Sequence, residues 1–279
     1  MSSNHAPPGQ TCHSLGLALR HRIGALSLDL SFSLTKPWSV LFAPSGAGKT
    51  TILRVIAGLL RPERGRILCK THTGTPVILT DTDAGVFVPP HLRMVRLVAQ
   101  QPALFPHLDV LKNIQYGMPR NEDKIHSSLA EILALCRIAN LTTKMPAQLS
   151  GGERQRVALA RVLATPGSRI LLLDEPFTGM DYVLRDGLIH DLRLWLARTQ
   201  TPVLQVTHDI AEAFATEAEV LTLGEGRLSA QGPAAEVLKD QRDQMLRRLT
   251  LQELVEKAEG PERPKSRDAS MPQERSGTV

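Results

Sequence analysis

The chain has 279 residues, of which 42% are hydrophobic, and it carries a formal net charge of +5. This length and composition are typical of one large α/β domain, or of a domain with a subdomain. No run of about 18 apolar residues occurs, so no segment is predicted to span a membrane, and no run of Lys or Arg indicates a nucleic-acid-binding protein.

Neither the N-terminus nor the cysteines indicate a secreted protein. Residues 1–8 contain no apolar segment of the kind that a signal peptide requires. The three cysteines, Cys12, Cys69 and Cys136, are far apart in the sequence and odd in number. This pattern argues against a zinc site and favours a reducing compartment.

The first hundred residues are predicted to contain mostly strands. Residues 1–14 are polar and contain proline, and we expect them to be flexible. Alternation of apolar and polar residues across 15–34 predicts strands with one buried face. The other predicted elements are a buried strand at 40–42, a helix at 52–58, a turn at 61–66, and short strands at 67–68, 77–79 and 95–98.

Beyond residue 100, helices predominate and then alternate with strands. Apolar residues at three- and four-residue spacing predict helices at 110–116, 124–138 and 152–163, within a helical subdomain of about 101–165. The later predicted elements are strands at 169–175, 203–206 and 220–223, helices at 183–198 and 210–217, and one or two amphipathic helices at 233–258. Alternating strands and helices imply a parallel sheet with helices on its faces. Residues 259–279, rich in proline, serine and charge, are predicted to be disordered.

A loop of small residues between the strand at 40–42 and the helix at 52–58 predicts a phosphate-binding site. The residues concerned are Pro44, Ser45, Gly46, Ala47, Gly48, Lys49, Thr50 and Thr51. Backbone N–H groups of such a loop and the positive end of the helix both point at an anion. In this pattern Lys49 reaches the β- and γ-phosphates and Thr50 ligates Mg²⁺. The pattern departs from the usual one at Ala43, where glycine is expected, and alanine is tolerated only if its φ is negative.

The predicted strand at 169–175 ends in two carboxylates, Asp174 and Glu175. Open parallel sheets bind ligands at the carboxyl ends of their strands, so both side chains are expected beside the phosphate loop. Asp174 is suited to hold Mg²⁺ through water, and Glu175 to polarise an attacking water. Two surface acids at a strand end are the alternative, but the aliphatic residues before them and Pro176 after them argue against it.

The segment Leu149-Ser150-Gly151-Gly152-Glu153 predicts a second anion site. Ser150 is expected to cap a helix whose first turn contains two glycines, which leaves its N–H groups free of side chains. One chain does not need two γ-phosphate sites. Two copies facing each other head to tail would sandwich each nucleotide between one copy's phosphate loop and the other's Ser-Gly-Gly. A plain capped helix start is the alternative.

Together these motifs resemble the ATP-binding subunit of an ABC transporter, over roughly residues 15–240. The resemblance rests on five motifs in order: the phosphate loop, Gln100, the Leu-Ser-Gly-Gly segment, Asp174-Glu175, and Thr207-His208-Asp209. It implies an α/β fold of the P-loop NTPase class, with a mostly parallel core sheet, an antiparallel β subdomain and a helical subdomain. The cassette would comprise residues 15–258.

The resemblance also implies ATP and Mg²⁺ as cofactors and gives roles to single residues. Gln100 would ligate Mg²⁺ and sense the transmembrane partner, His208 would touch the γ-phosphate, and Asp181 would lie at the dimer interface. The predicted catalytic residues are Glu175, His208, Lys49 and Gln100, the predicted metal ligands are Thr50, Gln100 and Asp174, and the predicted ATP-binding residues are 44–51 with Ser150, Gly151, Gly152 and Glu153.

Members of this family often have an aromatic residue on an early strand that stacks on adenine, and this chain departs from that pattern. Its only tyrosines are Tyr116 and Tyr182, and neither lies on an early strand. Arg20 or His21 could stack on the base instead, through a cationic or an imidazole plane.

Within the family, the chain most resembles the ATPase of molybdate importers. The segments that carry this resemblance are 87–93, 104–110 and 113–117. It implies a homodimer that binds transmembrane permease subunits at the cytoplasmic face of the inner membrane, and that acts indirectly with a periplasmic or extracellular solute-binding protein. No nucleic acid is expected as a partner. Family members often carry a C-terminal oxyanion-binding domain, and we expect this chain to lack one because only a polar tail follows the amphipathic helices.

Two other functions stay open. The chain could be the ATPase of an importer for another solute, such as sulfate, phosphate or a polyamine. It could also be a soluble ABC ATPase with no transport role. Proteins of that second class usually carry two cassettes or a long coiled coil, and the sequence shows neither.

Overall fold

A computed structural model describes residues 12–71, 76–118, 122–165 and 167–247, without the side chains of 122–128. By its internal contacts the chain divides into two units, the first reaching to Lys239 and the second beginning at Asp240. The first unit contains all of the strands given below. The described part of the second unit, residues 240–247, is helical.

The elements of the first unit alternate between strands and helices after a strand-rich start. The strands are β1 (Cys12–Ile23), β2 (Leu26–Leu34), β3 (Trp38–Phe42), β4 (Arg64–Thr71), β5 (Pro76–Asp81), β6 (Val86–Phe87), β7 (Val95–Val98), β8 (Ile170–Asp174), β9 (Val203–Thr207), β10 (Glu219–Gly224) and β11 (Arg227–Pro233). The helices are α1 (Lys49–Ala57), α2 (Pro90–Arg93), α3 (Val110–Gln115), α4 (Glu122–Leu135), α5 (Gly151–Leu163), α6 (Tyr182–Thr199), α7 (Ile210–Ala215) and α8 (Ala234–Val237). Among the described residues, none of the helices is long and apolar enough to cross a membrane.

The strands form two sheets. The core sheet has the order β11-β10-β3-β9-β8-β7, and all of its neighbours pair in parallel except β10 and β11. The second sheet is antiparallel, with the order β2-β1-β4-β5-β6. This arrangement confirms the predicted α/β fold with a mostly parallel core and an antiparallel β subdomain.

Both faces of the core sheet are covered by apolar side chains, as a parallel sheet requires. Along β8, Leu171 and Leu173 belong to the core that contains residues of α3, α5 and α6. The alternate residues Ile170 and Leu172 belong to the core between this sheet, α1 and the antiparallel sheet. The apolar run that precedes Asp174 therefore anchors the carboxyl end of β8 from both sides.

The antiparallel sheet brings Cys12 and Cys69 together. Cys12 starts β1 and Cys69 lies on β4, and the two form a disulfide with their Cα atoms 5.5 Å apart. Cys136 is buried and unpaired. This pairing runs against the interpretation of the cysteine pattern as that of reduced thiols. Sequence spacing does not reveal the disulfide, because 57 positions separate its two cysteines and only the strand register makes them neighbours.

Several predicted boundaries are wrong because pairing and capping extend the elements. The predicted turn at 61–66 overlaps β4, which starts at Arg64 where that residue pairs with Arg20 of β1. Helix α1 starts at Lys49, inside the phosphate loop, rather than at residue 52. Strand β11, which pairs with β10, is absent from the sequence prediction. The ends of the chain, residues 1–11 and 248–279, lie outside the described residues.

A buried arginine connects α1 to the antiparallel sheet. The guanidinium of Arg93 donates to the carbonyl oxygens of Val55 and Ile56, at the C-terminus of α1, each at 2.9 Å. It also donates to Val88 O at 2.6 Å and to Thr80 Oγ1 at 2.8 Å. Burial lowers the pKa of Arg93 to about 10. The bond to Ile56 O supplies a donor at the helix end, and the bond to Val55 O adds to the one from the Gly58 N–H, so that Arg93 fixes the helix that starts at Lys49.

We therefore expect Arg93→Met to lower the free energy of unfolding by about 2–4 kcal/mol, because buried carbonyls lose their only charged donor. Chemical denaturation of the full chain measures this. The matched control is Arg64→Met, because Arg64 is largely exposed and its nearest ion-pair contact with Asp83 is 3.9 Å. That variant should change the free energy by less than about 0.5 kcal/mol. Equal effects of the two substitutions would contradict this account of Arg93.

Candidate functional site

The phosphate loop joins the end of β3 to the start of α1. Gly46 and Gly48 adopt positive φ of 82° and 89°, a conformation that favours glycine. A Cβ atom on Gly48 would also lie 2.8 Å from a methyl carbon of Leu28 on β2. Gly48 is thus required both by the turn and by the close approach of the antiparallel sheet.

The alanine that departs from the usual pattern is compatible with this loop. Ala43 is absent from the residues with positive φ, and its methyl group is buried in the core beneath α1. A residue with negative φ and an apolar environment gains nothing from glycine. The departure at Ala43 therefore leaves the geometry of the loop intact.

Lys49 points back into the loop that precedes it. Its Nζ donates to the carbonyl oxygens of Ala43 at 2.7 Å and Pro44 at 2.9 Å. Burial lowers the pKa of Lys49, and the negative charges of Glu175 and Asp174 act in the opposite direction. The ammonium group is therefore held inside the loop and close to the two carboxylates at the end of β8.

The hydroxyl of Thr50 donates to Asp174 Oδ2 at 2.8 Å. Asp174 is the last residue of β8 and is buried. Burial raises the pKa of this carboxyl, while the hydrogen bond from Thr50 lowers it. Two of the three predicted metal ligands, a hydroxyl and a carboxylate, thus lie next to each other, and hard oxygen ligands of this kind suit Mg²⁺.

Glu175 is held by two side chains from other parts of the chain. Gln100 Nε2 donates to Glu175 Oε2 at 3.0 Å, and His208 Nδ1 lies 2.9 Å from Glu175 Oε1. Glu175 itself has a φ of +48°, in the left-handed region that non-glycine residues rarely adopt. Strain of this kind persists where the surrounding structure fixes it, and it is concentrated at functional sites. The structure thus brings together three of the four predicted catalytic residues, since Gln100 and His208 both contact Glu175.

The Ser-Gly-Gly segment forms a capped helix start. Ser150 Oγ accepts from the Glu153 N–H at 3.1 Å, and Glu153 Oε2 accepts from the Ser150 N–H at 2.7 Å, which completes a capping box at the start of α5. Around Gly151 there is open space, whereas a Cβ on Gly152 would lie 3.2 Å from Gly179 O. Within the described residues, no hydrogen bond or ion pair joins 149–153 to the phosphate loop of the same chain.

One contact near the site is not apparent from the sequence motifs. Gln155, on the buried side of α5, donates from Nε2 to Ala99 O at 3.4 Å. Ala99 directly precedes Gln100, so the contact ties the helix of the Ser-Gly-Gly segment to the residue that holds Glu175. Only a polar residue on the buried face of a predicted helix could have indicated it.

The sequence profile described as "ABC transporter" matches residues 28–178, which include the phosphate loop, Gln100, the Ser-Gly-Gly segment and the two carboxylates. The chain belongs to the ABC transporter family.

Among its relatives, the molybdenum import ATP-binding protein ModC of Mesorhizobium japonicum is 36% identical over 230 residues, which are 81% of this chain and 60% of that protein. ModC of Mycobacterium tuberculosis strain H37Rv is 39% identical over 254 residues, or 88% and 67% of the two chains. The molybdate/tungstate import ATP-binding protein WtpC of Archaeoglobus fulgidus is 36% identical over 236 residues, or 84% and 93%. The chain thus spans about 60% of the length of the first of these relatives.

Solved structures of ATP-binding cassettes share the fold. A dimeric cassette in a post-hydrolysis state bound to ADP and Pi superposes with a TM-score of 0.63 and 24% identity, over 79% of this chain and 98% of that chain. An Atm1-family ABC exporter with ATP bound gives a TM-score of 0.66 and 24% identity, over 86% and 42% of the two chains. At this identity the likeness shows the cassette fold.

The three residues considered for the dimer interface and for the adenine contact have structural contacts of their own. Asp181 caps α6, with its side chain accepting from the Leu184 N–H at 2.8 Å. Arg20 forms an exposed ion pair with Asp29 at 2.8 Å, so its guanidinium is engaged on the outer face of the antiparallel sheet. His21 pairs in register with Leu28, the residue that leaves no room for a Cβ atom on Gly48. The interface position of Asp181 and the adenine contact of Arg20 or His21 stay predictions.

We expect Ala43→Gly to weaken the cassette rather than to improve its phosphate loop. Glycine adds freedom to the unfolded chain and removes a buried methyl group, which together should lower the free energy of unfolding by about 1–2 kcal/mol. The affinity for ATP, measured by calorimetry, should stay within about twofold of the wild-type value. Ala84→Gly, in the exposed turn between β5 and β6, controls for the effect of chain freedom alone. A large gain in ATP affinity in Ala43→Gly would contradict this account.

Proposed function

We propose that this chain is the ATP-hydrolysing subunit of an importer and that two copies bind two Mg-ATP at a shared interface. The observation that carries the proposal is the contact among Gln100, Glu175 and His208. Glu175, at the centre of this contact, directly follows Asp174. Asp174 in turn accepts a hydrogen bond from the hydroxyl of Thr50 at the phosphate loop. The arrangement unites a phosphate cradle, oxygen ligands for a cation and a carboxylate that can take a proton.

The phosphate loop would bind the nucleotide through its backbone and through Lys49. Residues 44–51 supply N–H groups and the positive end of α1, and the ammonium of Lys49 adds a full charge. Thr50, Asp174 and Gln100 would hold Mg²⁺, which neutralises charge on the phosphates when bound. Among the described residues, no cluster of three or more His, Cys, Asp or Glu side chains could hold a metal ion by itself. A cation here would therefore also need oxygens from the nucleotide and from water.

Glu175 would act as the general base. The hydrogen bonds from Gln100 and His208 leave other acceptor positions on its carboxylate, at which an attacking water can bind and give up a proton. Gln100 is exposed and follows the last residue of β7 by two positions, so it can exchange Glu175 for the metal ion at little cost. His208, whose side chain is about half exposed, would then orient the carboxylate and contact the γ-phosphate.

A second copy would complete each site with its Ser150, Gly151 and Gly152. The supporting observation is the preformed helix start: the capping box fixes Ser150, and Gly151 leaves open space over the first turn of α5. Bare N–H groups at the N-terminus of a 13-residue helix favour an anion. Asp181, at the start of α6, would lie at the same interface.

Molybdate is the proposed solute, and only kinship supports that choice. The relatives described above are named for import of molybdenum, or of molybdate and tungstate. In this arrangement the subunit contacts permease subunits at the cytoplasmic face of the membrane, and a solute-binding protein delivers the oxyanion from the other side. Closure of the two cassettes would move the helices α3 to α5, which grip the permease.

Glu175→Gln should bind ATP normally but lose turnover by at least about tenfold, equivalent to about 1.4 kcal/mol of barrier, because an amide cannot accept the proton of water. Turnover is measured as phosphate release, and binding by calorimetry. Lys49→Ala should instead lose nucleotide binding itself.

The matched control for Glu175→Gln is Glu225→Gln, because Glu225 also has a φ of 48° but lies exposed in the turn between β10 and β11. It should keep full turnover. Unchanged ATPase activity in Glu175→Gln would rule out Glu175 as the base, and retained ATP affinity in Lys49→Ala would rule out the phosphate loop.

Deletion of the gene should abolish accumulation of molybdate by the cell, and the wild-type chain but not Glu175→Gln should restore it. Uptake is measured by metal analysis of cells supplied with limiting molybdate. Excess sulfate should compete weakly if molybdate is the solute. Strong competition by sulfate would point to a sulfate importer, and unchanged accumulation in the deletion strain would exclude a role in molybdate import.

A further inference from the structure

A chain of buried polar groups crosses from the core sheet to α7. Trp38 Nε1 on β3 donates to Gln205 Oε1 on β9 at 3.2 Å, and Gln205 Nε2 donates to Glu212 Oε2 on α7 at 2.9 Å. All three residues are buried, with 6%, 0% and 5% of their surface exposed. The hydrolysis mechanism described above uses none of them.

The direction of these hydrogen bonds is fixed. An indole N–H can only donate, so the side-chain oxygen of Gln205 must face Trp38. The amide nitrogen of Gln205 must then face Glu212, where it needs an acceptor. A flipped amide would place its NH₂ group against the indole N–H of Trp38, so that two donors would face each other. Gln205 therefore cannot turn over when the protonation of Glu212 changes.

Glu212 also acts on both chain neighbours of His208. Its carboxyl has a side-chain hydrogen bond with Thr207, the last residue of β9. The hydroxyl oxygen of Thr207 in turn accepts from the Asp209 N–H at 3.0 Å. Asp209 caps α7 by accepting from the Ala211 N–H at 2.7 Å. The segment 207–209, which carries His208, is thus held from behind by Glu212.

The surroundings of Glu212 make its charge sensitive to pH near neutrality. Burial, and to a smaller extent the charge of Asp209, raise its pKa to about 7, while Arg185 on α6 and the hydrogen bonds from Thr207 and Gln205 act in the opposite direction. Arg185 pairs with Asp209 at 2.9 Å. From β9 and β3 only uncharged groups face it, and Glu236 on the neighbouring α8 is exposed.

We propose that Glu212 is a positioning residue that fixes His208 against Glu175, and that only its ionised form does so fully. An ionised carboxylate accepts from both the Gln205 amide and the Thr207 hydroxyl. A protonated carboxyl must place a hydrogen of its own, which competes with those donors and loosens the Thr207 hydroxyl that holds the Asp209 N–H. This inference rests on the role proposed for His208.

The test is the dependence of kcat on pH for the full-length chain, with His208→Ala as a reference variant. In the wild type, kcat should rise with pH through about 7. Glu212→Gln, which is always neutral, should lose this rise and have a kcat at about pH 8 that is at least about fivefold lower, with KM for ATP within about twofold. Glu212→Asp should keep the rise at a shifted pH. Glu236→Gln, the same substitution at an exposed site on α8, should match the wild type.

Several outcomes would overturn the proposal. Glu212→Gln with the wild-type kcat and profile would do so, and so would a lower kcat with an unchanged profile, because that result assigns to Glu212 a packing role only. If Glu212→Gln does not fold, two other results would overturn the proposal. One is a wild-type kcat that does not rise with pH through about 7, and the other is a rise of kcat in Glu212→Asp at the same pH as in the wild type. Full turnover in His208→Ala would overturn both this inference and the role of His208, whereas loss of turnover there with an unaffected Glu212→Gln would overturn this inference alone.

Discussion

Parallel pairing of β3, β9, β8 and β7 is the constraint on which the site depends. Phe42 pairs with Thr207, Val206 with Asp174, and Leu173 with Val98, so all four strands end at one edge of the sheet. The phosphate loop, His208, Glu175 and Gln100 each follow one of these ends. A shift of one residue in any pairing would turn a side chain away from the site, because successive side chains point to opposite faces. Apolar side chains on both faces of the sheet hold this register.

Several charged side chains lie together at this edge of the sheet, where their burial costs free energy. Lys49, Asp174 and Glu175 are all buried, although charged residues are rarely buried without partners. The structure offsets this cost by pairing each of them. Lys49 donates to two carbonyls, Asp174 accepts from Thr50, and Glu175 accepts from two side chains. In the proposed reaction, polar groups held in this way would already be oriented for charge that develops on a phosphate, which is the main contribution that a protein makes to phosphoryl transfer.

The sequence allows the prediction of those parts of the site that short motifs determine. The phosphate loop, the carboxylates after an apolar strand and the capped Ser-Gly-Gly helix are local patterns, and the ends of parallel strands bring them to a common edge. The contacts of Arg93, Gln155 and Glu212 were not predictable, because each depends on the three-dimensional neighbours of a residue that has no motif. The same holds for the Cys12–Cys69 disulfide. Ala43 is an intermediate case, since the pattern shows the departure but only the backbone angle decides whether it matters.

Helix α5 connects the proposed interface to the centre of the site. Its N-terminus carries Ser150, and one turn further Gln155 contacts Ala99, the residue before Gln100. We expect a helix of 13 residues with a capped start to move as a rigid rod, so that a displacement at Ser150 would reach the backbone beside Gln100 without a chain of flexible intermediates. Gln100 in turn holds Glu175. If a second copy places its nucleotide on Ser150, the helix would transmit that contact to the hydrogen bond between Gln100 and Glu175. Binding at the interface and activation of the base would then be two consequences of one rigid-body movement.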